Sequence, residues 1–177
     1  MASTSQIAAL RDALNTDRRT LRAAVDRVPT SMLTVRPAPE RWSVAEVLEH
    51  LSMVEAGAVR LVTKLVQSAP AAEADLTPTP VDRALLADRA QRISAPDRIQ
   101  PTGSLSVEQA LESLDRSREE LLALVLTAEG RDLSQVTHPH PALGAIDGYQ
   151  WIALIGGHEM RHALQIDEIA AGLVGNA

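Results

Sequence analysis

The sequence predicts an all-α protein, a four-helix bundle with one short extra helix. Three observations lead there. The chain has 177 residues, 45% of them hydrophobic and 23% charged, which suits one globular domain over 1–177. Aromatic residues are only 2%, with no Phe, so Trp42, Tyr149 and Trp151 are the whole set. A β-sandwich or barrel draws on aromatic and β-branched strand residues, whereas a core of Leu, Ala, Val and Ile suits helices. Four long segments, moreover, carry a helical apolar stripe, and four stripes that must each be buried pack most simply as a bundle.

In chain order, the first stripe is Ile7, Leu10, Leu14, Leu21, Val25 and Val28, stopped by Pro29. A linker with three prolines follows. Ser43 opens the second helix with Glu46 three residues on, a capping box, and Trp42 before it can staple onto Val47. Its face runs through Val47, Leu51, Val54, Ala58, Leu61 and Leu65 and ends before Pro70. Residues 69–81 read as loop, 82–93 as the short extra helix, and 94–105 as a second loop. Ser106 with Gln109 forms another capping box, ahead of a helix with Val107, Leu111, Leu114, Leu121 and Val125 on its face. Residues 129–147 are rich in Gly, Pro and His and hold no helical period. The last helix runs from about Gly148 to Leu173, with Trp151, Ile155, Ile166, Ile169 and Leu173 in its stripe.

Charge and composition exclude several function classes. With no cysteine there is no disulfide framework, no Cys-ligated zinc and no thiol nucleophile. No leader-like start and no apolar run near ~20 residues is present, so the expected location is the cytoplasm and no membrane partner is expected. Net charge is −6 and pI about 5.3. The first helix carries Arg11, Arg18, Arg19, Arg22 and Arg27, but Asp12, Asp17 and Asp26 interleave with them. That pattern reads as a solvated, salt-bridged face, and no nucleic-acid partner is expected. Nor is there a Gly-rich phosphate loop or a Ser nucleophile elbow.

The chemistry sits in the histidines. His158 and His162 are four apart and therefore stacked on one helix face. Trp151, Ile155, Ile166 and Ile169 turn that face into the bundle. His50 lies between Val47 and Val54 on the second helix and also faces inward. A lone inward histidine is usually a hydrogen-bonded core residue. Three from two helices, left unpaired, would cost about 1–3 kcal/mol each, and one shared metal ion satisfies all three. Three protein ligands leave a position open for water or substrate, as catalytic metal sites do.

WSVAEVLEHL (Trp42 to Leu51), HPALG (His140 to Gly144) and HEMRHALQIDEI (His158 to Ile169) resemble the DinB/YfiT-like family of small bacterial bundle proteins. The resemblance covers most of the chain. It implies an up-down-down-up four-helix bundle holding one divalent ion through His50, His158 and His162. The related proteins include thiol-dependent S-transferases, isomerases and metal hydrolases. The function expected is therefore metal-dependent hydrolysis or S-transfer, with Zn²⁺ or Ni²⁺, or else Mn²⁺ or Fe²⁺, activating a water or a thiol. Lacking cysteine, the chain would take a low-molecular-weight thiol as partner to a small-molecule substrate. The alternatives are a non-catalytic metal-binding stress-response protein and an H-E-x-x-H zinc peptidase with Glu159 as base. A homodimer is the commonest assembly for such a chain.

Other candidates surround this site. Glu46, four residues before His50, is a candidate catalytic or orienting carboxylate; its bland role is the capping box. Gln165, seven after His158, is a second catalytic candidate on the metal face. Trp151 and His140 are expected to wall a substrate pocket, while His138 reads as polar surface. Arg161 is expected to pair with an acidic neighbour, Tyr149 to serve packing alone, and Glu159 to be a surface or interhelical carboxylate.

Overall fold

The computed structural model describes residues 2–73, 82, 88–89 and 94–174, and these form a four-helix bundle with a small β-hairpin. Helices α1 (Ala2–Asp26), α2 (Val44–Ser68), α3 (Val107–Thr127) and α4 (Gly148–Val174) account for the four predicted stripes. The short helix expected over 82–93 lies outside the described residues, apart from Asp82, Asp88 and Arg89. Both capping boxes form. The Glu46 N–H donates to Ser43 Oγ at 3.3 Å and the Ser43 N–H to Glu46 Oε2 at 2.8 Å. Ser106 and Gln109 exchange the equivalent bonds at 3.2 and 2.9 Å.

Two apolar clusters fix the helix directions. One gathers Leu14 of α1, Val62 and Val66 of α2, Leu121 and Val125 of α3, and Ile152 of α4. The other gathers Leu21 and Val25, Val47 and Leu51, Leu114, and Ile166 and Ile169. At the first end stand the start of α1, the ends of α2 and α3, and the start of α4. The order is therefore up-down-down-up, and α2 and α3 run parallel, joined by the long connection 69–106. Where α1 meets α4, a Cβ at Gly156 would press on the buried Asp17 carboxylate, which would have to shift to admit a larger residue.

Two parts of the sequence reading change. The fold is not wholly α, since the segment without a helical period before α4 contains a hairpin, β1 (Thr137–His140) antiparallel to β2 (Gly144–Asp147), with His140 opposite Gly144. Its three-residue loop, 141–143, leads into Gly144 at the start of β2, whose φ of 71° is a left-handed position that favours glycine. The buried face of α2 also differs. It passes through Glu55, Val59, Val62 and Val66, while Val54, Ala58 and Leu61 are only partly buried. Among the described residues no helix is long and apolar enough to cross a membrane.

The connection 97–104 is drawn down onto α2 by one buried carboxylate. Glu49 accepts from Thr102 Oγ1 at 2.9 Å, the Gly103 N–H at 2.7 Å and Ser104 Oγ at 2.9 Å. Burial acts to raise its pKa, but these hydrogen bonds outweigh burial and hold it below the ordinary 4.5. A carboxyl depressed in the folded state adds stability above its unfolded pKa, and loses it as pH falls through the folded one. Urea denaturation between pH 6 and 3 is accordingly expected to show a steeper loss of stability in the wild type than in Glu49→Gln. Equal slopes would show that the clasp contributes nothing.

Candidate metal centre

Three histidines meet where the start of α2 faces the middle of α4. One ring nitrogen from each of His50, His158 and His162 lies within 4.8 Å of the others. His50 and His162 are buried, and His158 is partly exposed. The ring centroids of His50 lie 5.3 Å from His158 and 5.0 Å from His162. The helix spacing read from sequence brings these three together as expected.

Hydrogen bonds fix which nitrogen of two rings is available. His50 Nδ1 stands 2.7 Å from the Ile99 carbonyl, which can only accept, so Nδ1 carries the proton and Nε2 keeps its lone pair. His162 Nδ1 stands 2.8 Å from Gln165 Oε1, to which Arg89 also donates at 3.4 Å. That leaves His162 Nε2 as an acceptor, and it faces His158 Nε2 at 3.1 Å. Two nitrogens bound to one zinc at about 2.0–2.1 Å and a tetrahedral angle sit roughly 3.3 Å apart. The donor set therefore fits a divalent ion, and its backing by Ile99 and Gln165 is the outer support metal-bound imidazoles use.

Electrostatics keep the cluster neutral. Burial lowers the pKa of His158 to about 3, with the charges of His50, Arg161 and His140 adding to it. Burial, then His158 and His50, hold His162 well below the usual value, against the hydrogen bond to Gln165. His50 is lowered by burial despite the Ile99 contact. Unprotonated imidazoles are the form that binds a metal.

A scan against family models matches residues 13–166 to the DinB superfamily. The chain belongs to that superfamily. It is 34% identical over 138 residues to uncharacterized protein YuaE of Bacillus subtilis (strain 168), covering 77% of this chain and 82% of that one. It also resembles the crystal structure of TT2238, a four-helix bundle protein, with TM-score 0.61 and 22% identity. That match covers 92% of this chain and 98% of the other, and speaks for the fold.

On this DinB scaffold the remaining candidates separate. The partner that orients His50 is Ile99 and not Glu46. The Glu46 carboxylate is taken up by the capping box and by Arg36, whose Nε donates to Oε2 at 2.9 Å. Gln165 does reach the cluster, as the partner of His162. Trp42 stacks toward the site, its ring 5.0 Å from His50. Trp151 is buried beside the hairpin, with His140 at 5.4 Å and His138 at 6.0 Å between ring centroids. Its indole N–H donates to the His138 carbonyl at 3.1 Å, tying the hairpin to α4. His138 lines a separate groove of about 440 Å³ with Arg60 and Lys64. Tyr149 does more than pack, since its hydroxyl donates to the Arg131 carbonyl at 3.1 Å.

Arg18 departs furthest from the sequence reading, while Glu159 takes the interhelical one of its two expected places. Glu159, the would-be base of H-E-x-x-H, is 1% exposed and is gripped by Arg18 at 2.6 Å and Arg118 at 2.7 Å. It is turned to the interhelical core and away from the histidines, so the peptidase reading loses its base. Arg18 is not on a solvated face but buried, although Arg22 and Arg27 do pair at the surface, with Asp115 and Asp167. Sequence reasoning passed over Glu49, Glu55 and Arg118 altogether.

Proposed function

We propose that this protein is a metal-dependent enzyme in which His50, His158 and His162 hold one divalent ion, zinc or nickel foremost. The observation that carries this reading is the convergence of neutral, buried imidazole nitrogens, two of them oriented by Ile99 and Gln165. The bound ion would supply Lewis acidity and lower the pKa of a coordinated water or thiol, the chemistry of hydrolysis or S-transfer. The protein's own part is to orient and enclose. Ile99 and Gln165 fix the rings of His50 and His162, and Trp42 shields His50. The partly exposed edge at His158 leaves the side on which a small substrate approaches. Trp151 and His140 wall that approach, and His140 has a hydrogen-bond donor to offer. Its Nδ1 accepts from the Ala142 N–H at 3.3 Å, which places its proton on Nε2. Lacking cysteine, the chain would use a low-molecular-weight thiol from the cell for S-transfer.

A turnover screen tests this. Zinc- and nickel-loaded protein is offered small thiols with alkyl or epoxide electrophiles, and separately activated amides and esters. Turnover abolished by chelation and by His162→Ala is the expected result. A loaded protein inert to every class would favour the non-catalytic metal-binding alternative.

A further inference from the structure

Midway along the bundle, between the two apolar clusters, each helix contributes one buried charge to a closed ring. Arg18 of α1 bonds Glu55 of α2 at 2.7 Å and Glu159 of α4 at 2.6 Å. Arg118 of α3 bonds the same two carboxylates, Glu55 at 3.1 Å and Glu159 at 2.7 Å. Further guanidinium donors go mainly to carbonyls, and Arg18 Nη1 also touches the half-exposed Asp115 carboxylate at 3.4 Å. Arg18 reaches Leu114 O at 2.7 Å, and Arg118 reaches Leu14 O. Side-chain exposure within the ring runs from 1% to 9%, so all four charges are removed from water. Two positive and two negative groups leave the ring neutral.

The distribution of signs has a consequence for the histidines. Both acids come from the helices that carry the metal ligands, α2 and α4, and both arginines from the helices that carry none. Glu159 is the residue after His158, about 100° around α4, and Glu55 stands five residues beyond His50. Two arginines pulling on Glu159 from α1 and α3 fix the rotation of α4, and the same two fix α2 through Glu55. With both rotations set, His158 and His162 face His50.

We infer that Arg18, Glu55, Arg118 and Glu159 are positioning residues that preorganise the metal centre, α1 and α3 acting on it through this ring without touching it. The inference rests on the metal-binding reading above. Neutralising one acid, or replacing a forked guanidinium by a single ammonium, frees the helix rotation. Groups hydrogen-bonded directly to metal ligands change affinity by about 10- to 100-fold when altered, and the ring, one step removed, is expected at the lower end of that range. By linkage, the ion in turn tightens the ring.

The test titrates zinc into chelator-treated wild type, Glu159→Gln and Arg118→Lys, against a chromogenic chelator, and compares the visible spectra of the cobalt forms. Circular dichroism checks that each is folded. The expected result is zinc affinity weakened by about tenfold or more in both variants, with altered cobalt bands. A ring that only stabilised the fold would lower the melting temperature of the metal-free variants and leave affinity and spectrum as in the wild type; that outcome overturns the inference. If Glu159→Gln does not fold, Arg118→Lys decides by the same criterion. A wild type that binds no zinc or cobalt removes the metal reading itself and the inference with it, a result distinct from equal binding by all three proteins.

Discussion

Arg118→Ala is expected to destabilise the protein by about 3–5 kcal/mol, because it strands Glu55 and Glu159 in the core with half of their partners gone. Burial already pushes the Glu55 carboxyl up from its ordinary value, with Arg118 the strongest opposing influence. The Arg118 N–H bond to Leu14 O is lost as well. For a domain of this length 1 kcal/mol moves the melting temperature by roughly 2–4 °C, so the drop should be plain in a thermal scan. An internal control is the exposed pair Arg27–Asp167, 2.6 Å apart with side chains 56% and 44% exposed. Removing it should cost at most about 1 kcal/mol, since exposed ion pairs gain little. Equal losses at the two places would mean that burial adds nothing to the ring.

The second large effect is stabilisation by the ion. Zinc at about 100 times its dissociation constant should stabilise the folded wild type by about 2.7 kcal/mol. That corresponds to roughly 5–11 °C in melting temperature. A chelator should reverse the shift, and His162→Ala should show almost none of it. The substitution removes an imidazole whose Nε2 lies 3.1 Å from that of His158, and leaves Gln165 Oε1 with Arg89 alone. A shift of the same size in His162→Ala would assign the stabilisation to zinc bound elsewhere.

Helix number, the two capping boxes and the three-histidine cluster were legible because each rests on short-range spacing. Capping boxes are local, and His158 and His162 share a face by the period of the helix alone. Joining them to His50 needed only the inward direction of two stripes. The charge ring was less visible, yet it left a trace. The stripes of α1 and α3 each make a step of seven residues, Leu14 to Leu21 and Leu114 to Leu121, and in each gap an arginine stands four residues on, Arg18 and Arg118. Glu159 fills the corresponding position between Ile155 and Ile166. A stripe counts only apolar residues and so leaves these positions out, although they belong to the core face, made neutral by pairing.

The hairpin and the Glu49 clasp were hidden for other reasons. β1 and β2 are four residues each, Pro139 sits inside β1, and burial does not alternate along either strand. Glu49 meets Thr102, Gly103 and Ser104 across more than fifty residues of chain, a contact no local pattern announces. The support that the Ile99 carbonyl gives His50 is a backbone interaction and has no side-chain signature.

The central claim is that His50, on a different helix from the H-E-x-x-H pair, completes one metal site. Metal content of purified wild type beside His50→Ala tests it most directly, by elemental analysis at matched protein concentration after dialysis against trace metal. About one divalent ion per chain in the wild type, and a small fraction of that in His50→Ala, is the result expected. Equal metal in the two proteins, or none in the wild type, would contradict it.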